Sequence, residues 1–238
     1  MSNGIPIMKP IISIGHSIIE MNGIYNEQLS KDILDCENLR LSDDPNDTRY
    51  EDTELPNTES MRHLISKIDN EIFKINPYFK RHQSWAHILR PGESTMYHEH
   101  GLAHRQKMIA LAHDKPELRS LGNLDGISYL YYVTYPENSG DLVFELSAVQ
   151  RRISQNIKPV VGNLVLFPTY IPHYTKRNTS KEIRISISGN YWPDVDKLDE
   201  FFREVYDGRS NYFNYVEYII VKIILDSYRF FVVRSSYE

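Results

Sequence analysis

Apolar positions in the first third of the chain recur with the period of an amphipathic helix. After Asn57 and Thr58, either of which could cap a helix, apolar residues follow at i, i+3 and i+4 intervals. This pattern predicts a helix that packs one face against a core. The buried face would carry Met61, Leu64, Ile65, Ile68, Ile72 and Phe73.

The rest of the first 83 residues predicts only short elements. Residues 26–34 predict a second, shorter helix, and residues 43–58 form a polar loop rich in Asp, Asn and Pro. Residues 5–25 alternate loosely between apolar and polar, which indicates one or two short strands at the edge of a sheet. These segments are therefore expected to support a larger structure that follows them.

From residue 84 the pattern changes to short strands separated by turns. Residues 157–161 lead into a Gly-Asn pair at Gly162–Asn163 that is typical of a hairpin turn. Two buried strands joined by a loop follow between residues 160 and 192. The earlier strands are predicted over residues 85–89, 95–100, 126–135 and 141–146.

About eight short strands preceded by helices predict a mainly β fold with flanking helices. The arrangement is that of a double-stranded β-helix, a jelly-roll or cupin-like barrel, buttressed by the N-terminal helices. We predict one domain over residues 1–208, with support over 1–83, the barrel core over 84–192 and a closing helix over 193–208. Residues 209–238 form an apolar C-terminal extension, which could add strands or make a homo-oligomer contact.

Composition narrows the possible classes of protein. With 41% hydrophobic and 12% aromatic residues the chain can bury a sizeable core, and its net charge of −5 argues against a nucleic-acid groove. Cys36 has no partner for an internal disulfide, which fits a reducing compartment. The longest apolar run, residues 218–225, is far shorter than the roughly 20 residues of a membrane span. We expect a soluble, cytoplasmic protein that binds neither membrane nor nucleic acid.

Three histidines are candidates for a metal site. His98 and His100 are two residues apart on a predicted strand, so both rings project from the same face. His173 lies at the mouth of a later strand, which a barrel can bring alongside them. Three neighbouring imidazoles suit Fe, Zn, Cu or Ni. The sequence therefore predicts a metal centre in the barrel.

An arginine on the last barrel strand predicts an anionic ligand beside that metal. Arg184, Ser186 and Ser188 alternate with isoleucines, so one face of the strand is polar and the other apolar. A guanidinium directed into an interior costs several kcal/mol to desolvate unless an anion meets it. We therefore expect Arg184 to bind an anion.

Three stretches of sequence resemble a known enzyme family. LRPGESTMYHEH, in which Gly92 precedes His98 by six residues, is similar to the approach to the iron site in Fe(II)- and 2-oxoglutarate-dependent dioxygenases of the prolyl-hydroxylase-like group. GISYLYYVTYPENSGDLVFEL resembles the following strands of that barrel, and VGNLVLFPTYIPHYTKRNTSKEIRISISGNYW resembles its closing segment. The resemblance covers about residues 84–192. It is strongest to a little-characterised His-x-His subgroup with virus-encoded members.

The resemblance implies a role for each candidate residue. His98 would be the first iron ligand and His173 the distal one, while Arg184 would bind the C5 carboxylate of 2-oxoglutarate. Ser186 would be a second donor to that carboxylate, and Tyr129 a further candidate. The implied cofactors are Fe(II), 2-oxoglutarate and O2. The implied activity is hydroxylation of an unidentified substrate, coupled to oxidative decarboxylation of 2-oxoglutarate.

The third metal position departs from the family pattern and leaves alternatives open. The family usually has Asp or Glu where this chain has His100. A bulge could turn Glu99 inward, Asp141 could compete, or no protein group could fill the position, as in halogenating relatives. We predict three histidine ligands, which would also form the catalytic centre.

Two other functions are compatible with the sequence. A cupin-like protein could use three histidines to act on a small acid or thiol without 2-oxoglutarate. A non-catalytic binding protein could also retain the barrel. An intact set of metal ligands argues against the second alternative, and Arg184 with Ser186 argues against the first.

Overall fold

The computed structural model describes residues 15–36, 52–100, 126–148, 151–194 and 196–197. Two helices, α1 (Asn26–Asp35) and α2 (Glu59–Ile75), precede most of the strands. Thr58 caps α2, because its side chain accepts a hydrogen bond from the backbone N–H of Met61 at 3.3 Å. The predicted face of α2 is buried except at Phe73, which is 37% exposed at the end of the helix.

The described residues form nine strands in two antiparallel sheets. The larger sheet has the order β1-β7-β4-β9-β3-β2, and the smaller one has the order β6-β5-β8. The strands are β1 (Ser17–Glu20), β2 (Asp52–Thr53), β3 (Phe79–Leu89), β4 (Ile127–Thr134), β5 (Leu142–Ala148), β6 (Arg151–Ile157), β7 (Asn163–Pro168), β8 (His173–Thr175) and β9 (Arg184–Pro193).

The larger sheet separates two hydrophobic clusters. On one face, Ile185 and Ile187 of β9 join Tyr129 and Tyr131 of β4 in a cluster that includes the buried faces of α1 and α2. On the other face, Tyr132 belongs to a cluster that also draws on the smaller sheet. Successive residues of a strand point to opposite faces, so β4 and β7 each supply both clusters. The predicted mainly β architecture with supporting N-terminal helices is confirmed.

The structure corrects the predicted arrangement of residues 151–192. This region has four strands, because residues 151–157 form β6, whose half-exposed polar sequence gives little hydrophobic signal. Gly162–Asn163 does not close a hairpin, since β6 pairs with β5 whereas β7 pairs with β1 and β4. His173 begins β8 in the smaller sheet, so it does not end the strand before it.

Two further predictions in the N-terminal half were wrong in detail. Residues 95–100 do not form a regular strand. His98 makes an isolated bridge to His173, in which the backbone N–H of each residue donates to the carbonyl of the other, with N to O distances of 3.0 and 2.9 Å. The polar loop over 43–58 contributes β2, which adds to the edge of the larger sheet beside β3.

Part of the predicted organisation is outside the described residues. Of the closing helix predicted over 193–208, only residues 193–194 and 196–197 are described. The extension over 209–238 lies wholly outside the described residues. The division of the chain into one domain and an extension stays a prediction. Neither of the two described helices has the length and apolar character required to cross a membrane.

Candidate metal and anion site

Three histidine rings converge between the two sheets. His98 and His173 face each other across the bridge, with ring centroids 4.4 Å apart, and His100 lies 4.9 and 5.0 Å from them. One ring nitrogen from each histidine lies within 4.8 Å of the others. The three side chains are thus close enough to share one metal ion.

Backbone carbonyls fix the orientation of two of these rings. Nδ1 of His98 hydrogen-bonds the carbonyl of Met96 at 2.7 Å, and Nδ1 of His173 hydrogen-bonds the carbonyl of Ile171 at 2.9 Å. A carbonyl only accepts, so Nδ1 carries the hydrogen in both rings. The lone pair is then on Nε2, as a metal ligand requires.

The surroundings favour the neutral imidazole form that binds metals. Burial lowers the pKa of His98, and burial together with the nearby His98 lowers the pKa of His100 to about 3. Burial, reinforced by the other two rings, holds the pKa of His173 well below its usual value. Aromatic rings pack against two of the histidines, since Phe167 lies 4.8 Å from His173 and Trp85 lies 5.4 Å from His100, centroid to centroid.

The structure brings His100, and no carboxylate from the described residues, into this cluster. Glu99 follows His98 but is not among the groups that converge on the site. Asp141 is outside the cluster: its carboxylate lies 3.5 Å from the ammonium of Lys176, and its charge acts to raise the pKa of Arg184 and of Tyr132. Among the candidates for the third position, His100 is the residue that the geometry supports.

Arg184 begins β9 and is fully buried, with an exposed fraction of 0%. Its Nη1 donates to the carbonyl of Gly140 at 3.3 Å, and its guanidinium carbon lies 5.2 Å from the ring centroid of Tyr132. Gly140 has a φ of +95°, and an added Cβ would lie 2.0 Å from the carbonyl oxygen of Lys176, so glycine is required at this turn. The turn thus holds one end of the guanidinium in place.

The opposite edge of the Arg184 guanidinium lacks a hydrogen-bond partner. Nε and Nη2 are buried and make no hydrogen bond of good geometry with the described residues, although the Tyr132 hydroxyl lies close enough to oppose the lowering of the Arg184 pKa. These two N–H groups lie side by side, which is the geometry that pairs with both oxygens of a carboxylate. Burial lowers the pKa of Arg184, but a guanidinium starts so high that it stays charged. The structure therefore presents a fixed cationic fork to an anion.

Two hydroxyl groups without partners lie on the same face as Arg184. Ser186 is two residues further along β9, and Tyr132 is directly opposite Ser186 on β4. Neither hydroxyl has a partner among the described residues. Burial raises the pKa of Tyr132 to about 12, against the opposing effect of the Arg184 charge, so the phenol stays protonated and can donate.

Tyr129 is not brought to this site. It lies on the other face of β4, where its hydroxyl donates to Ser84 Oγ at 2.7 Å and its ring packs 5.8 Å from that of Tyr191. Tyr132 occupies the place that the sequence analysis assigned to Tyr129. The pairing of β4 with β9 places Tyr132 opposite Ser186. The sequence alone does not give this pairing register, so it could not show which tyrosine faces Ser186.

Metal affinities of variants should show whether His100 or Glu99 is the third ligand. We expect His100→Ala to lower the affinity for Co(II) or Zn(II) by tenfold or more, because one of three ligands is lost. Glu99→Gln should leave that affinity within about twofold, and His82→Ala, at an exposed position on β3, is the matched histidine control. Calorimetric titration checks both. A loss caused by Glu99→Gln with none caused by His100→Ala would contradict the three-histidine site.

Comparison with known proteins gives a match over the region that carries most of these residues. Residues 123–190 match the family model described as "Putative 2OG-Fe(II) oxygenase". This segment includes Tyr132, His173, Arg184 and Ser186, and it ends close to the end of β9. A search of curated protein sequences gave no significant match.

Solved structures resemble this chain at low sequence identity. A prolyl hydroxylase from Trichoplax adhaerens, in complex with a peptide fragment of the hypoxia inducible factor oxygen degradation domain, is 17% identical with a TM-score of 0.53, over 78% of this chain and 87% of that one. A viral collagen prolyl hydroxylase from Paramecium Bursaria Chlorella virus-1 is 15% identical with a TM-score of 0.49, over 74% and 94%. A Pseudomonas putida prolyl-4-hydroxylase is 15% identical with a TM-score of 0.47, over 76% and 94%.

The comparisons agree with the geometry of the site. The similarity to the Trichoplax structure confirms the double-stranded β-helix fold. The family implies Fe(II), 2-oxoglutarate and O2, which suit a three-histidine cluster and a buried arginine. The match to the oxygenase family model over residues 123–190 and the fold shared with the Trichoplax structure both agree with the resemblance noted in the sequence.

Proposed function

We propose that this protein couples oxidative decarboxylation of 2-oxoglutarate to hydroxylation of a substrate C–H bond. One observation carries the proposal: the buried Arg184, with the Nε–Nη2 edge of its guanidinium unpartnered, in the same barrel as three converging histidines. Metal binding alone would give the Nε–Nη2 edge of Arg184 no partner. A ligand that chelates the metal at one end and carries a carboxylate at the other would use both features.

His98, His100 and His173 would hold the iron. When bound, Fe(II) would activate O2 for the overall reaction, in which 2-oxoglutarate, O2 and the substrate C–H give succinate, CO2 and the C–OH product. The protein's part is to present three neutral nitrogens and to exclude bulk water with the rings of Phe167 and Trp85.

Arg184, Ser186 and Tyr132 would bind the distal carboxylate of 2-oxoglutarate. The guanidinium edge would donate two parallel hydrogen bonds, and a hydroxyl group could donate to a remaining lone pair of the same carboxylate. These donors are already desolvated and held by packing. Binding the anion would therefore complete their hydrogen bonds with little further ordering of side chains.

A site with three neutral imidazoles gives the co-substrate a further electrostatic role. With no carboxylate among the described groups that converge on the metal position, the protein does not offset the charge of a divalent cation. Arg184 adds another positive charge in the same barrel. A dianionic keto acid would neutralise most of this charge, so metal and co-substrate are expected to stabilise each other.

The alternative functions account for less of the structure. A cupin-like metalloprotein that does not use 2-oxoglutarate would leave Nε and Nη2 of Arg184 without a partner. A binding protein without catalysis would not need three histidines whose ring nitrogens converge. The cytoplasmic location and a homo-oligomer contact through residues 209–238 stay predictions from the sequence.

Anaerobic spectroscopy tests the proposed function. Fe(II) followed by 2-oxoglutarate should give the weak visible charge-transfer band of a chelate, and O2 should then produce succinate. Arg184→Ala should raise the 2-oxoglutarate concentration required for half the band at least tenfold, because loss of a buried charge partner costs about 2–5 kcal/mol. Iron bound without such a band would instead favour the cupin-like alternative. An unchanged requirement in the variant would remove Arg184 from the role.

A pair of tyrosine variants tests which face of β4 binds the co-substrate. Tyr132→Phe should raise the half-saturating 2-oxoglutarate concentration about three- to tenfold, the range for one hydrogen bond worth roughly 1 kcal/mol. Tyr129→Phe makes the same chemical change on the other face and should leave that concentration within about twofold. The reverse order of the two effects would contradict the register given above.

A further inference from the structure

Four polar side chains stand in one row across the larger sheet. Tyr132 on β4 is opposite Ser186 on β9, Ser186 is opposite His87 on β3, and His87 is opposite Asp52 on β2. Directly opposite residues of antiparallel strands project from the same face. His87 therefore faces the same interior as Ser186 and Tyr132.

Asp52 holds the imidazole of His87 in a fixed orientation. His87 Nδ1 lies 2.8 Å from Asp52 Oδ1, and the two residues are only 6% and 5% exposed. An ionised carboxylate accepts but does not donate, so Nδ1 carries a hydrogen. The nitrogen left for another partner is Nε2, and its direction is set by the bond on the other side of the ring.

Nε2 of His87 is buried but has no hydrogen-bond partner among the described residues. The same is true of Ser186 Oγ, the Tyr132 hydroxyl, and Nε and Nη2 of Arg184. Buried polar atoms in proteins are nearly always paired. Several unpaired atoms on one wall therefore indicate a polar ligand that contacts them together.

The neighbours of His87 along β3 locate it within the site. Trp85, two residues earlier on the same face, contacts the ring of His100, and Leu89, two residues later, is opposite Arg184. Each such step along a strand covers about 7 Å. His87 thus stands between the metal end of the site and Arg184, level with Ser186.

We infer that His87 binds the 2-oxo acid co-substrate, donating from Nε2 to the carboxylate that pairs with Arg184, and that Asp52 positions its ring. The inference rests on the proposed function. With Asp52 at Nδ1 and the ligand carboxylate at Nε2, His87 would have a hydrogen-bond acceptor at each ring nitrogen.

Comparison of two ligands distinguishes a binding role from a merely structural one. The probes are 2-oxoglutarate and 2-oxopentanoate, which lacks the distal carboxylate, each titrated calorimetrically into the Mn(II)-loaded protein. His87→Gln should weaken 2-oxoglutarate about tenfold and 2-oxopentanoate less than twofold, with Mn(II) affinity unchanged. His82→Gln, the same substitution at an exposed position of the same strand, should change neither ligand.

Asp52→Asn provides a second test, which can be used if His87→Gln folds poorly. The amide oxygen can still accept from Nδ1, but the charge is lost, so 2-oxoglutarate should weaken about threefold and 2-oxopentanoate should not. Equal losses for both ligands, or no loss for either, would overturn the role of His87. Failure of the wild-type protein to bind 2-oxoglutarate would instead overturn the proposed function, and this inference with it.

Discussion

The site depends on one buried positive charge. Arg184 is inaccessible to solvent and has one hydrogen bond among the described residues, from Nη1 to the carbonyl of Gly140. Desolvating a guanidinium without an anion is unfavourable by several kcal/mol. The remainder of the fold must supply that energy, chiefly through the two hydrophobic clusters on either side of the larger sheet. A residue maintained at such a disadvantage is best explained by a ligand that restores the missing hydrogen bonds.

The barrel turns this constraint into a site because successive residues of a strand point to opposite faces of the sheet. On β9, Ile185 and Ile187 pack towards the helices while Arg184 and Ser186 face the interior. The bridge from His98 to the first residue of β8 brings the metal ligands to the same interior from the smaller sheet. Rigid strands thus hold cationic and metal-binding groups together, although they are far apart in the sequence.

Local spacing was sufficient to predict part of the site, and pairing between strands determines the rest. The histidines and Arg184 followed from motif spacing and the alternation of β9. Tyr132 could not be separated from Tyr129, because β4 has tyrosines on both faces and only its register with β9 shows which one meets Ser186. The Asp52–His87 pair was missed because Asp52 lies in a polar stretch whose two-residue strand has no sequence signature.

The most direct test of the central claim is the stability of the metal-loaded protein without 2-oxoglutarate, measured by denaturant unfolding of the wild type and Arg184→Met. Methionine fills a similar volume without a charge. The variant should therefore be more stable than the wild type by about 1 kcal/mol or more, as found when buried charges give way to apolar side chains. A fixed 2-oxoglutarate concentration that saturates the wild type should then stabilise the wild type more than the variant and reverse the order. A variant that is less stable without ligand would show that Arg184 supports the fold and would contradict the account.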